Sequence, residues 1–295
     1  VSKLSVATAQ MELRSEKSVQ GFTAHVEDVV QRAVDAGAEL IVLPELASTG
    51  LLGSISDHQV TSETVRDDYW HALTAMTDNI VHSMSEFAVR HGVTLLGGSH
   101  NRIDKAGHLR NTAYVLHPDG AVDIQDKIHL TPQEHAMGTR GGDELLVTKI
   151  GPFTAGVLIC ADIQFPELSR HLVSRGVDLI LCPSLTWNRR GVHRVRTGSQ
   201  ARAIENQLYV VMSPLVGCSG LPTDAPMHAV GRAVVTTPVD KNVGLNDGVL
   251  AEGTTGGEEL VTAVLDREVL LASRANPEAP GLSLRRRDLY AQLDR

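Results

Sequence analysis

Gly156-Val-Leu-Ile-Cys-Ala-Asp-Ile-Gln-Phe-Pro-Glu167 is the stretch from which the fold can be read. Gly156 to Ile159 is a short apolar run of the kind that forms a buried strand. It stops at Cys160, and from Phe165 onward the apolar residues Phe165, Leu168, Leu172 and Val173 repeat at helical spacing. A thiol at the end of a strand, just ahead of a helix, sits where an open α/β sheet presents its reactive groups. Free cysteines are also among the most buried side chains, so position alone does not separate a nucleophile from a core residue.

The flanking segments extend the pattern. Leu4 to Gln10 alternates apolar and polar, as a strand with one wet face does. Val26, Val29, Val30 and Ala33 repeat at helical spacing up to Ala36-Gly37, and Leu40 to Leu43 is a continuous β-rich run suited to a strand covered on both faces. Pro44 stops that run and Glu45 follows. Asp67 to His91 reads as a long helix with Leu73, Met76, Ile80, Met84 and Phe87 along one side, ended by Gly92 and followed by a strand at Val93 to Leu96. Asn111 to Leu116 and Ala121 to Gln125 flank Pro118-Asp-Gly120, a hairpin signal, and the second hairpin strand runs into Lys127. Beyond the central stretch, Val177 to Leu181 reads as a strand, Val192 to Asn206 as a helix and Leu208 to Met212 as a strand. Gly231 to Thr237, Val249 to Glu252 and Glu259 to Leu265 are β-like and joined by Gly- and Asp-rich turns. The class is α/β with mixed (α+β) sheets and helices outside. Without a repeat or a Ser/Pro/Gly-rich linker, residues 1–295 read as a single domain.

Composition narrows the functions. The 295 residues are 42% hydrophobic and 21% charged, the balance of an ordinary soluble globular protein. A chain of this length buries roughly 75% of its unfolded surface and requires no staples. A net charge of -8 argues against a nucleic-acid partner, and the basic cluster Arg285 to Arg287 is too short to reverse that. Cys160, Cys182 and Cys218 form no CxxC pair, which fits neither a disulfide framework nor a zinc knuckle and suits a reducing, cytoplasmic setting. Cys182 and Cys218 read as structural. No apolar run approaches the ~18 residues of a membrane span, and Val1-Ser-Lys-Leu4 shows no signal-peptide core. The 13 histidines contain no HExxH, and the glycines at Gly138 to Gly142 and Gly253 to Gly257 fit no phosphate-binding pattern. Neither a metal nor an organic cofactor is expected.

Glu45, Lys127 and Cys160 share one feature: each lies just beyond a β-rich run, where a mixed sheet would hold its site. A lysine's charge favours thiolate over thiol, and a glutamate can take the proton and later pass it on. Taken singly, Glu45 reads equally as a first-turn helix residue and Lys127 as a surface lysine. Three such readings at three equivalent positions are harder to sustain.

Leu43-Pro-Glu45, Lys127-Ile-His-Leu-Thr-Pro-Gln-Glu134 and Cys160-Ala-Asp-Ile-Gln-Phe-Pro-Glu167 resemble the three signature blocks of the nitrilase (carbon–nitrogen hydrolase) superfamily. The resemblance continues through Gly97 to His100, Asn111-Thr112, Ala201 to Gln207 and Gly231 to Pro238. Thr131 to His135 and Arg286 to Tyr290 are similar to an amidase-like branch often fused to an acetyltransferase-like domain. The resemblance implies a four-layer αββα sandwich that assembles as a homodimer or larger homo-oligomer, acting on a small-molecule amide through a cysteine thioester. It implies Cys160 as nucleophile, Glu45 as general base and then acid, and Lys127 as stabiliser of the tetrahedral intermediate. Glu134 would position the lysine and approach the leaving nitrogen, and the backbone N–H of Ala161 would meet the oxyanion.

Many relatives carry a bulky residue where this chain has Ala161, so the pocket wall is expected to recede. Trp187 is a candidate to overhang the pocket, or a subunit-interface aromatic; His135, like His129, is a candidate substrate contact or a structural hydrogen-bonding residue. Arg189, Arg190 and Arg194 suit either a carboxylate-bearing substrate or a solvated surface. The residues leave open a nitrilase, an N-carbamoyl amine hydrolase or an acyl transferase on the same thioester, and a non-catalytic scaffold.

Overall fold

Two sets of three parallel strands form the two halves of the computed structural model, which describes residues 2–55, 58–218, 220 and 228–293. In the first half β1 (Lys3–Glu12), β2 (Leu40–Val42) and β3 (Thr94–Ile103) run parallel, and β4 (Leu109–Leu116) and β5 (Val122–Asp126) add antiparallel as the expected hairpin. In the second half β6 (Thr148–Ile150) lies antiparallel to β7 (Phe153–Val157), which runs parallel to β8 (Leu179–Leu185) and β9 (Tyr209–Cys218). β10 (His228–Ala229) and β11 (Val234–Thr236) pair with β9, β12 (Val249–Glu252) pairs with β11, and β13 (Glu259–Asp266) returns to pair with β1 from Lys3↔Asp266 to Gln10↔Glu259. The halves join where Met11 and Glu12 pair with Leu215 and Val216.

Helices cover the outer faces. Helix α1 (Val19–Asp35) starts at Ser18, whose side chain accepts a hydrogen bond from the Gly21 N–H, and stops before Gly37, which takes the left-handed conformation open to glycine. A one-turn α2 (Val65–Asp67) leads through a widened π turn at Asp68–Leu73 into α3 (Thr74–His91). The expected helix over Asp67 to His91 therefore contains a π segment, within which Tyr69 and Leu73 are buried. Helices α4 (Pro132–Met137), α5 (Pro166–Ser174), α6 (Arg189–Asn206), α7 (Arg267–Ala275) and α8 (Arg287–Leu293) complete the chain.

Period-two alternation in the first sheet sorts its side chains into two cores. Val6, Leu40, Val42, Leu96 and Val115 pack with β7, β8 and β9, and with Leu172, Val195 and Ala203 of α5 and α6. The intervening Ala7, Ile41, Leu43 and Leu95 pack with Phe22, Val26 and Val30 of α1 and Ile80 and Met84 of α3. The layers run helix, sheet, sheet, helix. Among the described residues no helix is long and apolar enough to cross a membrane.

Boundaries shift where local hydrogen bonds outrank the apolar pattern. β7 ends at Val157, because Ile159 and Cys160 enter a 3-10 turn at Cys160–Gln164. The helix expected from Val192 begins at Arg189, because the Asn188 side chain accepts from the Gly191 N–H at 3.0 Å.

One irregularity shapes the loop that carries Glu45. The β3–β4 register shifts between Leu96 and Ser99, and there the Ser99 N–H donates to Pro44 O at 3.2 Å while Ser99 Oγ accepts from the Leu46 N–H at 3.1 Å. Gly98 has φ +75° and a Cβ on it would lie 2.2 Å from Pro44 O, so only glycine lets β3 grip the Pro44–Leu46 loop this closely. We expect Gly98→Ala to destabilise the protein by about 2–4 kcal/mol in urea titrations, through left-handed strain and the backbone clash. A change under about 0.5 kcal/mol, the usual surface value, would contradict that reading.

Candidate active site

The ends of β2, β5 and β7 deliver Glu45, Lys127 and Cys160 to one place. Glu45 follows Pro44, is 2% exposed, and takes its direction from Leu46, a non-glycine residue held at φ 49° by the Ser99 hydroxyl. Lys127 leaves β5 with its N–H still bonded to Asn111 O, and its side chain is likewise 2% exposed. Its Nζ donates to Glu45 Oε1 at 2.7 Å and to Glu134 Oε1 and Oε2 at 3.0 and 2.9 Å.

Glu134 is oriented by the local helix signal. Thr131 caps α4: its hydroxyl accepts from the Glu134 N–H, and its own N–H and hydroxyl donate back to Glu134 Oε2 at 2.8 and 2.9 Å. This capping box, written in the sequence as Thr131-Pro-Gln-Glu134, turns a helix-start residue into a buried partner for Lys127.

Cys160 opens its 3-10 turn at φ 48°, a left-handed conformation that costs a non-glycine residue about 1–3 kcal/mol and persists only where the surroundings impose it. Its Sγ lies 3.5 Å from Leu185 O and accepts from Ser184 Oγ at 3.5 Å, while the Leu185 N–H donates to Glu45 Oε2 at 2.9 Å. Thus one peptide segment, the end of β8, touches both the thiol and the carboxylate. Asp162, fully buried, accepts from the N–H groups of Ile128 and His129, just past Lys127, and of Ile159, just before Cys160. It ties the lysine loop to the cysteine turn. His129 also pairs with Asp162 (Nδ1 to Oδ1, 3.1 Å) and stacks on Phe165 with ring centroids 3.5 Å apart.

Electrostatics separate the two glutamates. Burial pushes Glu134 up, but Lys127 and the hydrogen bonds from Asn111 and Thr131 prevail and hold it below the usual carboxylate range. For Glu45 burial wins, reinforced by the Glu134 charge, and its pKa is raised. Burial disfavours the Lys127 ammonium, yet the two carboxylates more than restore it and raise its pKa. The Cys160 thiol is pushed up to about 12 by burial and by the Glu45 charge. Lys127 does draw the thiol pKa down, as expected of its charge, but burial and the Glu45 charge outweigh it.

The remaining candidates are placed less centrally. Ala161 is partly exposed, next to Cys160 in the 3-10 turn. Trp187 is 40% exposed, two residues beyond Leu185. His135 is exposed on α4 and is not brought into the cluster, because the capping box turns Glu134 inward and leaves its neighbour outside. Arg189, Arg190 and Arg194 are exposed on α6. Cys182 is buried in β8, whereas the Cys218 side chain lies outside the described residues. Among the described residues no group of three or more His, Cys, Asp or Glu side chains is arranged to hold a metal.

Sequence reasoning missed Asn111, whose Nδ2 donates to both Glu45 Oε1 (3.0 Å) and Glu134 Oε1 (2.9 Å). The sequence marks it only as part of the resemblance at Asn111-Thr112, with no role attached. The Leu185 amide has no signal at all, since a backbone group is the same in every residue.

Comparison with known proteins places the chain in a family. A family model described as carbon–nitrogen hydrolase matches residues 5–274. The probable hydrolase YhcX of Bacillus subtilis (strain 168) is 32% identical over 97% of this chain and 54% of its own length, so the chain spans about half of that relative. The deaminated glutathione amidase of Synechocystis sp. (strain PCC 6803 / GT-S) is 28% identical over 78% of the chain and 83% of that protein. The crystal structure of Saccharomyces cerevisiae Nit3, a member of branch 10 of the nitrilase superfamily, shares the fold with a TM-score of 0.76 at 24% identity, covering 97% of each chain.

Replacing Lys127 by Met, similar in length but uncharged, leaves two buried carboxylates uncompensated. Their folded pKa values then lie above the unfolded ones, so the stability they contribute is complete at low pH and lost as pH rises through the folded values. Urea titration should show Lys127→Met destabilised by about 3–5 kcal/mol near pH 8 and by less near pH 5. An equal loss at both pH values would refute this pairing.

Proposed function

The chain belongs to the carbon–nitrogen hydrolase family, and from that premise we propose that it hydrolyses a small non-peptide amide through a thioester on Cys160. As Sγ attacks the carbonyl carbon, the thiol proton passes to Glu45. The resulting oxyanion is met by Lys127 and the backbone N–H of Ala161, donors worth about 3–4 kcal/mol each where they are preorganised. Glu45 then gives its proton to the departing amine as the C–N bond breaks, leaving the thioester. It next takes a proton from the water that attacks the thioester, and returns one to the sulfur as the acid leaves.

The observation that carries this reading is the unequal pair of carboxylates around one lysine. Glu134 keeps Lys127 paired whether or not Glu45 holds a proton, because it has its own contacts to Nζ and its own capping-box donors. Glu45 is thus free to cycle between base and acid while the cation stays in place. Burial raises the pKa of Glu45, so it holds a proton it has received more readily than an exposed carboxylate does. The Synechocystis relative is an amidase by name, which supports an amide over a nitrile as substrate.

Ammonia release from matched primary amides and nitriles tests the reaction. We expect amide turnover, a loss of about a thousandfold or more in Cys160→Ala, and a comparable loss in Glu45→Gln with little change in KM. Glu45 must be ionised to accept the thiol proton, so kcat/KM should fall as pH drops through its folded pKa, with an acid limb above the ordinary carboxylate value of 4.5. Turnover of nitriles alone, or activity surviving Cys160→Ala, would overturn the proposal.

A further inference from the structure

Asn111 sits on β4, 1% exposed, between the two glutamates. Its two amide hydrogens are divided, one to Oε1 of Glu45 and one to Oε1 of Glu134, and Lys127 bridges the same two oxygens. The amide cannot be turned over, because Oδ1 would then face two carboxylate oxygens. As placed, Oδ1 is buried without a protein partner. That unpaired oxygen costs about 1–3 kcal/mol and is set against two hydrogen bonds to buried carboxylates, so the amide serves Glu45 and Glu134 rather than its own packing.

We propose that Asn111 is a positioning residue for proton transfer, acting through both glutamates: it covers Oε1 of Glu45, so that the thiol proton is received at Oε2, and it helps hold Glu134 as the permanent anion beside Lys127. This inference rests on the amide-hydrolase reading above. Glu45 Oε1 accepts from Lys127 and Asn111, whereas Oε2 accepts from the Leu185 N–H, whose own carbonyl lies 3.5 Å from Cys160 Sγ. Oε2, with one donor against two on Oε1, is the less covered oxygen, and it shares the Leu185 peptide with the thiol. Glu134 accepts five hydrogen bonds, two from Lys127, two from Thr131 and one from Asn111, against three on Glu45. The better-solvated carboxylate keeps its charge and the other carries the proton. A neutral amide suits this position, since a cation in its place would suppress the base and a third carboxylate would bind the proton too tightly.

The test compares wild type, Asn111→Ser and Asn111→Asp by the pH dependence of kcat/KM for a primary amide and, separately, of Cys160 alkylation by iodoacetamide followed by peptide mass spectrometry. Loss of donors, and in the aspartate variant an added negative charge, raises the proton affinity of Glu45. The acid limb of both profiles should move up, in the order wild type, serine, aspartate, by about one pH unit or more for aspartate, with kcat falling about tenfold and KM little changed. An Asn111 with only a structural role would leave the limb in place and alter stability and expression instead, so an unmoved limb in a folded variant overturns the inference. If Asn111→Asp does not fold, the uncharged serine variant decides on the same criterion. Wild-type protein that turns over no amide, yet shows the ordered shift in alkylation, would remove the proposed reaction and leave the role of Asn111 standing.

Discussion

The site depends on one interaction: a lysine ammonium, almost wholly withdrawn from water, held between two carboxylates. Burying an ion costs several kcal/mol unless its geometry and remaining hydrogen bonds are well satisfied. Lys127 meets that condition with contacts of 2.7 to 3.0 Å to Glu45 and Glu134. With one cation and two anions, the cluster carries one negative charge more than it can neutralise. In the proposed reaction that excess makes the cluster the proton acceptor and the thiol beside it the donor.

Holding those groups together requires backbone that does not follow regular structure. Leu46 and Cys160 both adopt left-handed φ, and each stands next to a residue of the cluster or belongs to it. Gly98 closes on Pro44 behind Glu45, and Asp162 binds the backbone on either side of the gap between Lys127 and Cys160. Gln207 has a similar φ where α6 ends, and its hydrogen bonds run to Ser273 and Arg274 of α7, so a positive φ marks a site only when the surrounding hydrogen bonds converge on reactive groups. The two packed cores supply the rigidity: alternation along β1 and β2 clamps the first sheet between α1 and α3 on one side and the second sheet on the other.

Much of this is legible in the residues. An alternating run marks β1, a continuous apolar run marks β2, and Pro118-Asp-Gly120 marks the hairpin. The convergence of Glu45, Lys127 and Cys160 follows from their shared place at strand ends. Other features are hidden for physical reasons. The π segment before α3 does not disturb the helical spacing of apolar residues, so periodicity cannot reveal it. β7 ends two residues before the apolar run does, because Leu158 and Ile159 are as apolar as a strand requires and the turn is imposed by Asp162. His135 sits next to Glu134 in sequence but emerges on the outer side of α4. The protonation state of Cys160 depends on burial and on the Glu45 charge, neither of which a motif records.

The covalent intermediate is the species that distinguishes this chemistry most directly. Intact-protein mass spectrometry after rapid acid quenching, during turnover of a small primary amide, should show one added acyl mass per chain, mapped to the Cys160 peptide and absent from Cys160→Ala. Steady turnover with no added mass at any quench time, or an acyl group on a different residue, would contradict it.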